Sequence, residues 1–279
     1  MRPLAILIPL FSCQVFLGCG QPNITASKTQ AIDSASKETV RTDGNQFIDP
    51  NGITVKSRFL LPEGFKRLQY KADAFGNFLE NLPLYPIDQE VHYYNGKIKR
   101  RQNIYNSVVK LDIGKRDLHQ CADAVMRLRA DYLYGQKRYK DIKFNFLSDG
   151  KPRAYTNYAK GDYSYLTYWK YLEYIFAYAN TASLHDELHH VNTTQEVKIG
   201  DTFIQKGSPI GHAVIVVDLA KDNSGKTIVL LAQSYMPAQD IQILNNWNNS
   251  KLSPWYDIDQ DVIKTPEWTF YPKNLKTWE

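Results

Sequence analysis

The sequence predicts an α+β protein. Three observations predict it: strand-like runs early in the chain, helical periodicity in the middle, and a late series of apolar strands separated by turn residues. No internal repeat is visible. Residues 46–279 read as one α+β domain, and a composition of 43% hydrophobic and 13% aromatic residues supplies ample core.

The elements follow in order. ITVKSRF (53–59) alternates and predicts a first strand, an N-terminal β extension before the Pro-Gly loop at LPEGF. DAFGNFLE (73–80) predicts a short helix. EVHYYNGKIKR (90–100) predicts a hairpin around Asn95-Gly96. The basic run KIKRR (97–101) reads as a solvated face. NSVVKLDI (106–113) is the next strand. In DLHQCADAVMRLRADYLY (117–134) Asp117 suits an N-cap and Gln120 the third helical position. Leu118, Cys121, Ala122, Val125, Leu128 and Tyr132 then share one helix face, which turns Cys121 inward.

Residues 142–147 predict a short strand and SDGK a turn. LTYWKYLEYIFAYANTASL (166–184) predicts one long aromatic helix, whose rings either pack or line a carbohydrate or peptide cleft. Strands follow at 198–205, 212–219, 227–234 and 240–244, with a terminal strand at EWTFYP (267–272).

The first residues, MRPLAILIPLFSCQVFLGCG, are too short to span a membrane and form a secretory signal over 1–18. FLGC at 16–19 resembles a bacterial lipoprotein box. It implies cleavage before Cys19, acylation of that thiol, and anchorage of the chain to a lipid bilayer in the cell envelope. Residues 19–45, polar and poor in apolar side chains, predict a flexible tether. The formal net charge of +5 is too mild to imply a nucleic-acid partner.

Cysteine usage is more informative. Of Cys13, Cys19 and Cys121, the first leaves with the signal and the second is acylated. One thiol remains in an oxidising compartment, at a helix start where unpaired N–H groups favour thiolate. A thiol nucleophile needs a base. His119 lies two positions away on the expected helix, which do not face each other. His212 opens an apolar strand just after a Gly-Ser-Pro-Ile-Gly turn, a better place. Reflection about a turn centred near Asp222–Asn223 puts Gln233 opposite His212, within reach of its ring. A bulge or one-residue slip would remove Gln233 from that face. Asp218 sits roughly 20 Å along the strand. HDELHH (185–190) spaces His185 and His189 as a helical pair, but Glu187 has the wrong offset for H-E-x-x-H. No metal site and no cofactor are expected.

The helix-borne Cys121, the Gly200-Asp201 strand opener and GHAVIVVD (211–218) together resemble the core of NlpC/P60-type, papain-like cysteine peptidases. The resemblance implies Cys121 as nucleophile, His212 as base and Gln233 as the polar residue that orients the ring. It also implies a papain-like core, a Cys-bearing helix packed on an antiparallel sheet carrying the His, with the aromatic helix as an insertion. The usual Asp-Cys-Ser/Gly context is here Gln120-Cys121-Ala122. Over most of 50–270 the chain further resembles a bacterial lipoprotein family, domain of unknown function 4846, through CADAVMRLRADYLY, GDTFIQKGSPIGHAVIVVD, LLAQSYMPAQDIQIL, LSPWY and TPEWTF. Two functions stay open. One is a thiol hydrolase cleaving a peptide or amide bond, as in peptidoglycan stem peptides. The other is a non-catalytic envelope lipoprotein binding peptide, glycan or a protein partner through the same aromatic cleft.

Overall fold

A computed structural model of the chain describes residues 46–278. The expected signal over 1–18, the expected acylation site Cys19 and the expected tether over 19–45 lie outside the described residues.

Strand formation is decided by burial more than by propensity. HAVIVVDLAK forms β4 (His212–Lys221), buried along nearly its whole length. Each buried Val, Leu or Ile there contributes roughly 1.5–3 kcal/mol, more than the roughly 1 kcal/mol that β-propensity spans. Around it stand β1 (Tyr105–Val108), β2 (His189–His190), β3 (Thr202–Gln205), β5 (Thr227–Gln233), β6 (Gln242–Leu244) and β7 (Leu275–Thr277). Their spatial order is β1-β6-β5-β4-β3-β7-β2, antiparallel throughout. Two short strands, Lys66–Arg67 and Tyr256–Asp257, add to β4 and β5. Two separate ribbons pair Lys143–Asn145 with Pro152–Ala154 and Ile263–Lys264 with Thr269–Phe270.

Three helices matter for the site. α1 (Cys121–Gly135) packs on β4 and β5, α2 (Tyr165–Tyr178) follows it, and α3 (Thr181–Glu187) packs on α1 and β3. α1 is buried on more than one side: Ala122, Ala124, Val125, Met126, Leu128 and Ala130 all lie in the core. The mixed α+β class expected from the sequence is therefore present, built on one large antiparallel sheet with few helices.

Several elements differ from expectation. Residues 55–58 are a helix rather than part of a strand. Thr54 Oγ1 accepts from the Ser57 N–H at 3.2 Å while Ser57 Oγ accepts from the Thr54 N–H at 2.9 Å, so reciprocal capping overrides the alternating pattern. The single helix expected over 166–184 is two. Asn180 interrupts it, its side-chain oxygen accepting from the N–H groups of Ala182 and Ser183 at 2.8 and 3.1 Å to start α3. α3 ends at Glu187, so His189 stands in β2 opposite Thr277 and the expected His185/His189 helical pair does not exist. The expected strand over 267–272 reduces to Thr269–Phe270 in a ribbon, while the terminal sheet strand is β7.

Candidate functional site

α1 begins at Cys121, three residues later than the capping pattern suggests. Asp117 is not its cap. The Asp117 carboxylate accepts from the Ala238 N–H at 2.7 Å and from Gln120 Nε2 at 3.0 Å. Asp123 does the capping work instead, accepting from the Gln120 N–H at 3.0 Å. Cys121 thus occupies the first helical position, where N–H groups lack intrahelical partners. Its Sγ lies 3.6 Å from Thr181 Oγ1 at the start of α3. The backbone N–H groups of Ala122 and Ala213 also point to it.

Ala213 directly follows His212, so the thiol sits against the first residues of β4. His212 is fully buried. Its ring lies 4.9 Å from Tyr235, 5.3 Å from Trp268 and 6.0 Å from Phe270, centroid to centroid. Nε2 lies 2.8 Å from Gln233 Oε1, and Nδ1 has no hydrogen-bond partner. Tyr235 stands near both candidates: its ring edges His212, and its hydroxyl, raised first by burial, would be raised further by a thiolate at Cys121.

Gln233 reaches His212 by a different register from the expected one. At the turn end, Lys221 pairs with Thr227, which centres the hairpin on Ser224 rather than on Asp222–Asn223. That register alone would turn Gln233 to the other face. A bulge between Val216 and Asp218 shifts the pairing by one residue, so Ile215 opposes Ala232. Gln233 then falls beside Val214, on the same face as His212 and diagonal to it, within reach of a long side chain. Asp218, at the bulge, takes no part: it is paired with Arg67 at 2.7 Å.

Behind Gln233 stands a second pair. Gln233 Nε2 donates to Glu267 Oε2 at 2.6 Å, and Lys99 Nζ donates to the same oxygen at 2.9 Å. Lys99 is 3% exposed, which corrects the reading of KIKRR as a wholly solvated face. Glu267 and Trp268 come from the loop of the Ile263–Phe270 ribbon, closed by the Thr265 N–H donating to the Trp268 carbonyl at 2.8 Å. Trp268 Nε1 donates to Gln205 Oε1 at 3.0 Å, which ties the ribbon over the start of β4.

The electrostatics favour neutral groups. Burial pushes the Cys121 thiol up, against the opposing pull of the Thr181 hydroxyl and nearby N–H groups. Burial pushes His212 down to about 4; the Gln233 bond opposes the shift and the Lys99 charge adds to it. At neutral pH the pair is a thiol and an imidazole, so desolvation outweighs the helix-terminal field.

His119 precedes α1, so the helical spacing expected between it and Cys121 does not apply. Its ring instead edges Phe176 at 5.8 Å, and burial holds its pKa at about 3. No polar side chain orients it as Gln233 orients His212. Among the described residues no group of three or more His, Cys, Asp or Glu gathers that could hold a metal.

A family model described as "Domain of unknown function (4846)" matches residues 55–277, most of the chain. The chain belongs to that family. No curated protein and no solved structure matches it. In this DUF4846 domain the sequence-selected Cys121, His212 and Gln233 are gathered at the start of α1 and the adjoining ends of β4 and β5. Lys99, Thr181, Tyr235, Glu267 and Trp268 complete the setting. No spacing rule points to Lys99 and Glu267, which lie 168 residues apart. Two cavities lie elsewhere. One of about 330 Å³ is lined by Arg129, Glu187, His189 and Trp278; one of about 290 Å³ is lined by His190, Glu196 and Asp201. Among the described residues no helix is long and apolar enough to cross a membrane.

Proposed function

We propose that this DUF4846 protein is a thiol hydrolase with a papain-like core, cleaving a peptide or amide bond of the cell envelope. Cys121 is the nucleophile, His212 the base and Gln233 the residue that orients the ring. One observation carries the reading. His212 has one nitrogen bound to Gln233 and the other left without a partner, on the strand end against which the only thiol of the described residues lies. Buried imidazole nitrogens ordinarily find partners.

The chemistry balances. Nδ1 of neutral His212 takes the Cys121 proton as sulfur adds to the scissile carbonyl. N–H groups at the start of α1 face the developing oxyanion. The tetrahedral adduct collapses and the C–N bond breaks, the amine leaving with the proton from His212; water, deprotonated by the same nitrogen, then adds to the thioester, the C–S bond breaks to free the acid, and the proton returns to Cys121. Because both groups are neutral at rest, proton transfer accompanies attack rather than preceding it. The thiol is only 3% exposed, so substrate reaches it after side chains around the site move aside; Tyr235 and Trp268, which pack on the His212 ring, are the candidates. An acylated Cys19 and the 19–45 tether would hold the domain at the membrane within reach of peptidoglycan stem peptides.

Burial of the thiol, and cavities that lie away from it, favour a second reading. There the protein is a non-catalytic envelope lipoprotein that binds peptide, glycan or a protein partner through its aromatic surface, where Tyr165, Leu166 and Tyr178 are exposed on α2. Digestion of purified muropeptides separates the two. Wild type is expected to release stem-peptide fragments, and Cys121→Ala to lose at least about 10²-fold in rate while keeping its unfolding midpoint. Equal product patterns from both proteins would leave the binding reading.

A further inference from the structure

The Lys99–Glu267 pair lies beyond the three residues assigned to the chemistry, yet it touches one of them. We infer that Glu267, held by Lys99, is a positioning residue that fixes which nitrogen of His212 carries the proton. The use of that proton in hydrolysis rests on the function proposed above; the selection of the tautomer does not.

Donor and acceptor identities follow one from another along this line of groups. Lys99 can only donate, so the oxygen 2.9 Å from its Nζ must accept. That oxygen, Glu267 Oε2, therefore also accepts from its second neighbour, 2.6 Å away. The neighbour must be the amide nitrogen of Gln233, because the amide oxygen has no proton to give. The Gln233 amide is thereby locked with its oxygen toward His212, and an oxygen 2.8 Å from Nε2 requires a proton on Nε2. A neutral imidazole carries one ring proton, so Nδ1 is bare. The bare nitrogen is the one found buried without a partner. A charged end group, one amide and one ring thus transmit a single instruction: proton on Nε2, lone pair on Nδ1.

Without an acceptor behind it, the Gln233 amide is free to rotate by a half turn. Its NH2 then faces Nε2, the proton moves to Nδ1, and the lone pair is lost from the free side. Burial makes this selection firm, because Lys99 and Glu267 are 3% and 11% exposed and water is a weak competitor there. The Lys99 ammonium also lies 5.6 Å from the Tyr235 ring, which holds it on the site side of the ribbon.

The test is a tautomer measurement on the full chain. In ¹⁵N-histidine-labelled protein at neutral pH, protonated and bare ring nitrogens give well-separated shifts, and His212→Gln identifies the signal. Wild type is expected to show the Nε2–H form. Glu267→Gln is expected to keep it, because with Lys99 in place the new amide oxygen accepts from both neighbours. Glu267→Met, checked for folding by circular dichroism, is expected to show Nδ1–H or a mixture. Wild type in the Nδ1–H form, or folded Glu267→Met wholly in the Nε2–H form, overturns the inference. If Glu267→Met does not fold, Lys99→Met with Glu267→Gln serves in its place: the amide of residue 267 is then free to turn, and a retained pure Nε2–H form overturns the inference equally. Muropeptide digestion reports separately. Cys121→Ala equal to wild type removes the hydrolase while leaving the tautomer result standing.

Discussion

Arg127 and Lys99 are both buried cations held by a carboxylate, at 2.7 Å from Asp131 and 2.9 Å from Glu267. The Arg127 network closes on itself. Arg127 Nε reaches both Asp131 oxygens at 2.7 Å, Tyr168 OH donates to Asp131 Oδ1 at 2.6 Å, and the guanidinium lies 4.8 Å from the Trp169 ring. It fastens α1 to α2 and hands nothing on. The Lys99 network is open: Glu267, Gln233 and Nε2 of His212 are each satisfied, and the line stops at a bare Nδ1. The same ingredients give a rivet in one place and an oriented base in the other. What distinguishes them is whether the last group keeps an unused lone pair beside a reactive neighbour.

The largest effect should come from opening the closed network. Asp131→Ala leaves Arg127 buried, 2% exposed, without its carboxylate. Removing one partner of such a pair costs about 3–5 kcal/mol, read as a lower urea midpoint. The His212 tautomer should not change, since no bond links the two networks. A changed tautomer in the folded variant would break the comparison.

A smaller effect separates the networks by pH. Burial places His212 at about 4 against an ordinary 6.5. The unfolded chain therefore takes up this proton first, and its uptake favours unfolding. The histidine's contribution is fully present above pH 6.5 and is lost as pH falls toward 4. Urea titrations of wild type and His212→Gln should diverge in that window, with the wild-type advantage rising from pH 4 to 6.5 and then level. Taking the difference matters, because Asp218 and Glu187, raised by burial to about 6 and 7, slope the other way in both proteins. A difference that is flat across the window would mean that His212 is not held neutral by burial.

The contrast also explains what could be read from the sequence. Cys121 and His212 were legible because each sits at the mouth of a long, strongly patterned element, α1 or β4, and burial alone fixes such elements. Reflection about Asp222–Asn223 gives Gln233 with the wrong register: the hairpin centres on Ser224, and the bulge after Val216 supplies the odd residue that restores the face. Bulges leave little trace in a run as uniformly apolar as HAVIVVDLAK. Lys99 and Glu267 were not legible. Lys99 lies in a basic run whose other members are solvent-facing in pattern, and Glu267 arrives from a two-residue ribbon that local alternation does not announce. The split at Asn180 was legible in principle. Asn-Thr-Ala-Ser carries a cap and a third-position hydroxyl, but the continuous aromatic run before it suggested a single helix.

The smallest effect is the sharpest test of the closed network. Tyr168→Phe removes one hydroxyl and leaves Asp131 bound by both bonds from Arg127 Nε. Loss of one hydrogen bond whose acceptor keeps other partners costs about 1 kcal/mol, a modest shift of the urea midpoint at unchanged slope. Gln233→Met is the matched change in the open network, since it too removes polar atoms between a carboxylate and a ring. There His212 Nε2 loses its partner outright, while Glu267 keeps Lys99 alone. Tyr168→Phe should keep the Nε2–H form of His212 and the rate of Cys121 alkylation by iodoacetamide. Gln233→Met should release the tautomer and change that rate. If both substitutions behave alike, satisfaction of the last group does not separate a structural network from a functional one here.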